Sequence, residues 1–147
     1  MEYLGSFRIS ASGMAVEKTR LDIAALNIAN MHSAGATPGA VYRPLQLLAQ
    51  SVTLSFAQQF GQQYGQLRFS GGGVRVASVE PQDVAPRMVY EPGHPYADAK
   101  GFVAYPGVDH TAEMMNLNSA LRAYEANVAA LGAAKAMAAR ALEIGGK

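Results

Sequence analysis

Apolar residues recur at both ends of the chain in alternating steps of three and four. Near the N-terminus the series runs Leu4, Phe7, Ala11, Met14, Lys18, Leu21, Ala25 and Ile28. Near the C-terminus it runs Leu117, Leu121, Tyr124, Val128, Leu131, Lys135, Ala138 and Leu142. This is a heptad seam, the pattern of a helix that lies along another helix. It predicts one helix from about Leu4 to Ala29 and a second from Thr111 to Ile144, the latter about 51 Å long at 1.5 Å per residue. Gly132 is the single helix-weakening residue in the second, costing roughly 1 kcal/mol relative to Ala. Ser6 and Ser10 or Ser12 are candidate caps for the opening turns of the first helix, and Asn30 suits its close. Each seam carries one lysine, Lys18 or Lys135. A lone polar seam residue fixes register at some cost in stability; the plainer reading is a lysine stem snorkelling past a stripe that drifts around a 3.6-residue helix.

The middle of the chain has a different period. Met31 to Ala40 is a loop by its Gly, Ala, Ser and Pro content. Tyr42 to Phe56 has strand composition, with Pro44 limiting how early a strand starts. Ala57 to Gln66 is Gln-rich and reads as a long loop or hairpin tip. Val74 to Val79 alternates apolar and polar, Arg87 to Tyr90 is a short strand, and Gly101 to Tyr105 a last extended piece, with a turn at Glu91 to Pro95. The expected fold class is therefore α+β: long N- and C-terminal helices packed as a coiled-coil-like hairpin, with a small β-rich middle domain. The domain reading is a helix over 1–31, a loop over 32–40, a β-rich unit with a Gln-rich insertion over 41–107, and a helix over 108–147. Such a small middle offers little surface to cover two long helices. Their ordering cost is large, which predicts helices that fluctuate in the free chain and fold on joining a partner.

Composition narrows the classes. The 147 residues include no Cys and no Trp, which excludes a disulfide framework, a thiolate metal site and a cysteine nucleophile. The formal charge of +1, with acids and bases interspersed, gives no electrostatic footprint for nucleic acid or an anionic membrane. No apolar run is long enough to span a bilayer. Met1-Glu2-Tyr3-Leu4 lacks a basic region leading into an apolar one, so no cleaved secretory signal is expected.

Candidate chemistry is thin. Gly71-Gly72-Gly73 is not followed by the Lys-Ser or Lys-Thr of a phosphate loop, and it opens onto a strand instead of a helix; a flexible turn is the simpler reading. His32, His94 and His110 lack ligand spacing. Asp83, Glu91, Asp98 and Asp109 are scattered among turn residues, where Asp commonly stabilises local backbone. No Gly-x-Ser-x-Gly elbow occurs. Tyr42, Phe56, Phe60 and Tyr64 are anchors for a small sheet before they are a binding face. No catalytic, cofactor or metal site is expected, and no enzyme.

Two stretches carry a resemblance. Ser10-Ala11-Ser12-Gly13-Met14 with Leu21 to Asn30, and above all Ala25-Leu26-Asn27-Ile28-Ala29-Asn30, resembles the N-terminal signature of bacterial flagellar rod and hook proteins. Met88 to Asp98, holding Pro92-Gly93-His94-Pro95, then Gly101 to Pro106, Glu113-Met114 and Arg122 to Val128 narrow it to the proximal-rod members of that axial family. Leu47 to Gly72 departs from the family pattern. The resemblance implies a structural subunit of a helical tube that crosses the periplasm and transmits motor torque to the hook and filament. It implies partners as well: other rod proteins, copies of itself, the membrane ring at the rod base and the flagellar type III export apparatus, with no nucleic acid and no small-molecule substrate. Location in the basal body, after export without a cleaved signal, is implied by the same likeness. The subunit interface would then use the seam residues Leu4, Phe7, Ala11, Met14, Leu21, Ala25, Ile28, Leu117, Leu121, Tyr124, Val128, Leu131, Ala138 and Leu142. The competing class is a soluble helical-hairpin adapter or export chaperone.

Overall fold

A computed structural model describes residues 3–52 and 72–145. The expected Gln-rich loop at 57–66 lies outside the described residues. The structure is α+β. Helix α1 spans Tyr3–Asn30, a single 3-10 turn spans Pro38–Ala40, and strands β1 Leu45–Ser51, β2 Val74–Pro81, β3 Arg87–Tyr90 and β4 Phe102–Tyr105 come before helix α2, His110–Gly145. The strands form two separate two-stranded sheets, β1 with β2 and β3 with β4.

The start of α2 and the end of α1 are set by local hydrogen bonds. The carboxylate of Asp109 caps α2, accepting the backbone N–H groups of Thr111 at 2.8 Å and Ala112 at 3.2 Å. These donors have no partner within the helix, and Glu113 adds negative charge to the first turn, where the helix dipole favours it. At the end of α1 the carbonyl of Asn30 accepts both the backbone N–H and the hydroxyl of Ser33, at 3.0 and 2.7 Å. Those bonds turn the chain out of the helix.

The chain divides into two compact units, the described parts of 1–18, 49–77 and 120–147, and those of 19–48 and 78–119. In the first unit the buried residues are small, Ser10, Val16, Ala120 and Ala134. Gly13 of α1 lies against Asn127 of α2 so closely that a Cβ on it would come within 2.8 Å of the Asn127 Oδ1. Gly72 and Gly73 meet α1 in the same unit. Their φ angles are 129° and 118°, and a Cβ on Gly73 would sit 2.7 Å from the Ser12 Oγ. That hydroxyl donates to the Ile9 carbonyl at 2.7 Å and accepts the Val74 N–H at 3.1 Å. Gly72 and Gly73, expected with Gly71 as a flexible turn, seat the start of β2 on the helix, a close backbone approach that only Gly permits.

In the second unit the core is Ile23, Ala24, Asn27, Val41, Val103 and Ala104. The β3–β4 hairpin pairs Arg87 with Tyr105, Met88 with Ala104, Val89 with Val103 and Tyr90 with Phe102. Alternation along the strands puts Val89 and Val103 on one face and Met88, Tyr90 and Phe102 on the other. Gly35 extends this hairpin by one bridge, its N–H donating to the Ala104 carbonyl at 3.2 Å. Among the described residues no helix is long and apolar enough to cross a membrane.

Candidate assembly surface and the node beneath it

The centre of the second unit is one polar side chain. Asn27 is 0% exposed and uses every donor and acceptor it has. Its Nδ2 donates to the Leu45 carbonyl at 2.9 Å and to the Glu113 Oε1 at 3.2 Å. Its Oδ1 accepts the Leu45 N–H and the Tyr42 hydroxyl, each at 2.8 Å. An amide has two donors and two lone pairs, so four bonds exhaust it. Toward Leu45 it acts as a peptide group would in a β-ladder, bonding both the N–H and the C=O of one residue. A buried amide so fully satisfied ties α1, the first residue of β1 and the first turn of α2 to one another. Burial pushes the Tyr42 hydroxyl above its ordinary pKa, and the Glu113 carboxylate pushes it in the same direction.

A second polar cluster orders the loop between β3 and β4. The Asp98 carboxylate accepts the backbone N–H groups of Phe102 at 2.9 Å and Lys100 at 2.8 Å; these bonds, Phe102's first, hold the carboxyl below its usual range. The Tyr105 hydroxyl donates to the Glu91 Oε2 at 2.9 Å, and that bond raises the tyrosine above its ordinary value. Gly101, at φ 81°, lies under the Tyr90 ring, where any Cβ would meet that ring at 2.9 Å. Among the described residues no group of His, Asp and Glu could hold a metal ion. Two shallow clefts, of about 270 and 160 Å³, are lined by mixed apolar and polar residues, Val41, Tyr42 and Pro86 in the larger and Ile23, Leu45 and Asn116 in the smaller.

The seam residues divide by their exposure. On α1, Phe7, Met14, Leu21 and Ile28 are half-buried, Ala11 and Ala25 are exposed, and the side chain of Leu4 lies outside the described residues. On α2, Leu117, Tyr124, Leu131 and Ala138 are half-buried, whereas Leu121, Val128 and Leu142 are exposed. Lys18 and Lys135 are exposed too. The face that α2 turns inward is Glu113, Leu117, Ala120, Tyr124, Asn127, Leu131, Ala134 and Ala138. It keeps the alternating step of four and three but places Ala120, Asn127 and Ala134 where the sequence pattern favours Leu121, Val128 and Lys135. On α1 the buried set, Ser10, Val16, Ile23, Ala24 and Asn27, likewise lies beside the seam instead of on it. What remains outside on α2 is a row at every seventh residue, Met114, Leu121, Val128, Lys135 and Leu142, all exposed. Leu121 is 42% exposed and Leu142 76%.

The chain combines an internally closed polar node with a long exposed row on α2 that is apolar except at Lys135, and comparison with known proteins shows the family to which it belongs. Residues 99–144, from the end of the β3–β4 loop through nearly all of α2, match the family described as flagellar basal body rod FlgEFG protein C-terminal. The likeness to individual proteins runs the full length. The flagellar basal-body rod protein FlgC of Yersinia enterocolitica is 39% identical over 145 residues, covering 99% of both chains. That of Bacillus subtilis is 37% identical over 144 residues, 95% of this chain and 96% of the relative. That of Borreliella burgdorferi is 31% identical over 156 residues, 98% of each. The chain belongs to the FlgC family of flagellar basal-body rod proteins. It is a structural protein and not an enzyme.

Proposed function

We infer that the chain is a subunit of the proximal rod of the flagellar basal body, a helical tube that crosses the periplasm and carries motor torque to the hook and filament. Its partners are copies of itself, other rod proteins and the membrane ring at the rod base, reached after export through the type III apparatus without a cleaved signal. The observation that carries this reading is the exposed row of α2, Met114, Leu121, Val128 and Leu142. Such a row, spaced by whole heptads, suits a neighbouring helix. A repeated contact between unlike faces of identical subunits does not close on itself and so generates a helical array.

Within one subunit, α1 and α2 pack as a coiled-coil-like hairpin. Gly13 meets Asn127 in one unit, and Asn27 meets Glu113 in the other. The half-buried seam residues Phe7, Met14, Leu21, Ile28, Leu117, Tyr124, Leu131 and Ala138 flank this contact. Ala11, Ala25, Leu121, Val128 and Leu142 are left to neighbouring subunits. Small inward residues allow close helix approach, and a closely packed wall is stiff under torsion.

Complementation of a strain lacking the protein tests this. Leu121→Asp is expected to leave cellular protein levels unchanged and to abolish rods and motility. Normal rods and swimming in that strain would remove α2's outer row from the assembly surface.

A further inference from the structure

The loop between β3 and β4 contains a bond that only one protonation state of a histidine permits. His94 Nδ1 accepts the backbone N–H of Tyr96 at 3.1 Å. An N–H aimed at Nδ1 bonds only to a nitrogen that carries a lone pair, which the neutral imidazole with its proton on Nε2 has and the imidazolium lacks. The bond closes the centre of a tightly linked turn. The His94 N–H donates to the Glu91 carbonyl, and the Ala97 N–H donates back to the His94 carbonyl, both at 3.0 Å. The Asp98 N–H then reaches the Phe102 carbonyl at 2.8 Å. The imidazole stands 5.6 Å from the Tyr96 ring and 6.4 Å from the Tyr105 ring, centroid to centroid.

We propose that His94 is a proton-sensitive latch on the 91–101 loop, closed when the imidazole is neutral and released when it is protonated. Protonation puts a second N–H on the ring at Nδ1, face to face with the Tyr96 N–H. An acceptor becomes a donor, and the bond is lost. The charged and titratable groups around the ring decide where the new cation turns. Tyr96 and Tyr105 flank it, Glu91 lies in the same turn, and Asp98 and Lys100 lie further along the loop. From β3, the Arg87 guanidinium is 5.8 Å from the Tyr105 ring centre. Asp98 is already engaged by two backbone N–H groups, and Arg87 and Lys100 oppose a new positive charge. Glu91 is the acid left to draw the imidazolium, in competition with the Tyr105 hydroxyl it now holds. Release therefore loosens Tyr96 and the Tyr105–Glu91 bond together, and changes the surface that the loop presents beside the exposed Tyr90 and Phe102.

The test is a titration of the free full-length subunit between pH 5 and 8, following backbone amide resonances and the ring nitrogens of His94. The Tyr96, Ala97 and Tyr105 amides are expected to move in step with the imidazole, with the Tyr96 amide showing the largest shift. His94→Asn keeps an acceptor near the Nδ1 position and cannot titrate, so its loop resonances should stay at the neutral wild-type positions throughout. His94→Ala should sit near the acidic wild-type positions at every pH. If the Tyr96 amide stays still while the wild-type imidazole titrates, the latch is absent. If His94→Asn titrates as the wild type does, a carboxylate is responsible and the assignment to His94 is overturned.

Discussion

The Asn27 node and the outer row of α2 differ in how much of their bonding capacity the chain itself uses. Asn27 makes four hydrogen bonds and exposes nothing. Leu121, Val128 and Leu142 stand on a long helix of the same chain with a large part of each side chain in solvent. The node is complete in one subunit; in the assembly proposed above, the row is covered by a neighbouring one. Damage to the node should therefore appear as lost stability of the free protein, and damage to the row as lost assembly by a protein that still folds.

The largest expected stability effect is at the node. Asn27→Ala strips partners from the Leu45 N–H and C=O, the Tyr42 hydroxyl and Glu113, and each buried unsatisfied group costs about 1–3 kcal/mol. A total loss of about 3 kcal/mol or more is expected in urea unfolding, and a loss under about 1 kcal/mol, the size of one ordinary hydrogen bond, would make the node dispensable. Next comes Gly107→Ala. A Cβ there would collide with the Ala85 carbonyl oxygen, a backbone atom that cannot swing aside, so about 2 kcal/mol is expected, within the range for overpacked sites.

Tyr42→Phe is smaller, about 1 kcal/mol at neutral pH for one lost hydrogen bond. It also carries a pH signature. The folded-state pKa of Tyr42 is raised, so the stability linked to its protonated form is full below the ordinary tyrosine range near pH 10 and lost as pH rises through the folded value. Melting temperatures followed from pH 8 upward should fall less steeply for Tyr42→Phe than for the wild type. Parallel curves would remove Tyr42 from the alkaline response. The smallest stability effect belongs to the row. Leu121→Asp on the free subunit should change unfolding by no more than about 0.5 kcal/mol, as for an exposed site. A larger loss would mean that Leu121 is already covered within the chain.

How legible these regions are in the sequence depends on what each signals. The helices are plain because heptad periodicity runs unbroken, and α1 and α2 extend within a residue or two of the expected limits. The short strands at 74, 87 and 102 announce themselves by alternation and flanking turn residues. The phase of the inward face is not legible. Large apolar residues mark a seam in a sequence, but α2 turns Ala120 and Ala134 inward and leaves Leu121 and Val128 outside. Close packing of two helices selects small residues, and smallness looks like absence of signal. Asn27 stands inside the Ala25 to Asn30 signature, yet its bonds to Leu45 depend on where a distant strand begins, which no local pattern encodes. The Asp109 cap is legible in principle, since an Asp just ahead of a helical run is the ordinary cap signal.

Amide hydrogen exchange on the free subunit tests the central contrast most directly. Strong protection around Ile23 to Ile28 and Val103 to Tyr105, with fast exchange through Val128 to Gly145, is the expected result, and the fast region should become protected in assembled rods. Equal protection along the whole of both helices in the free subunit would contradict the account. It would mean that α2 is finished to its C-terminal end within one chain, leaving no segment that waits for a neighbouring subunit.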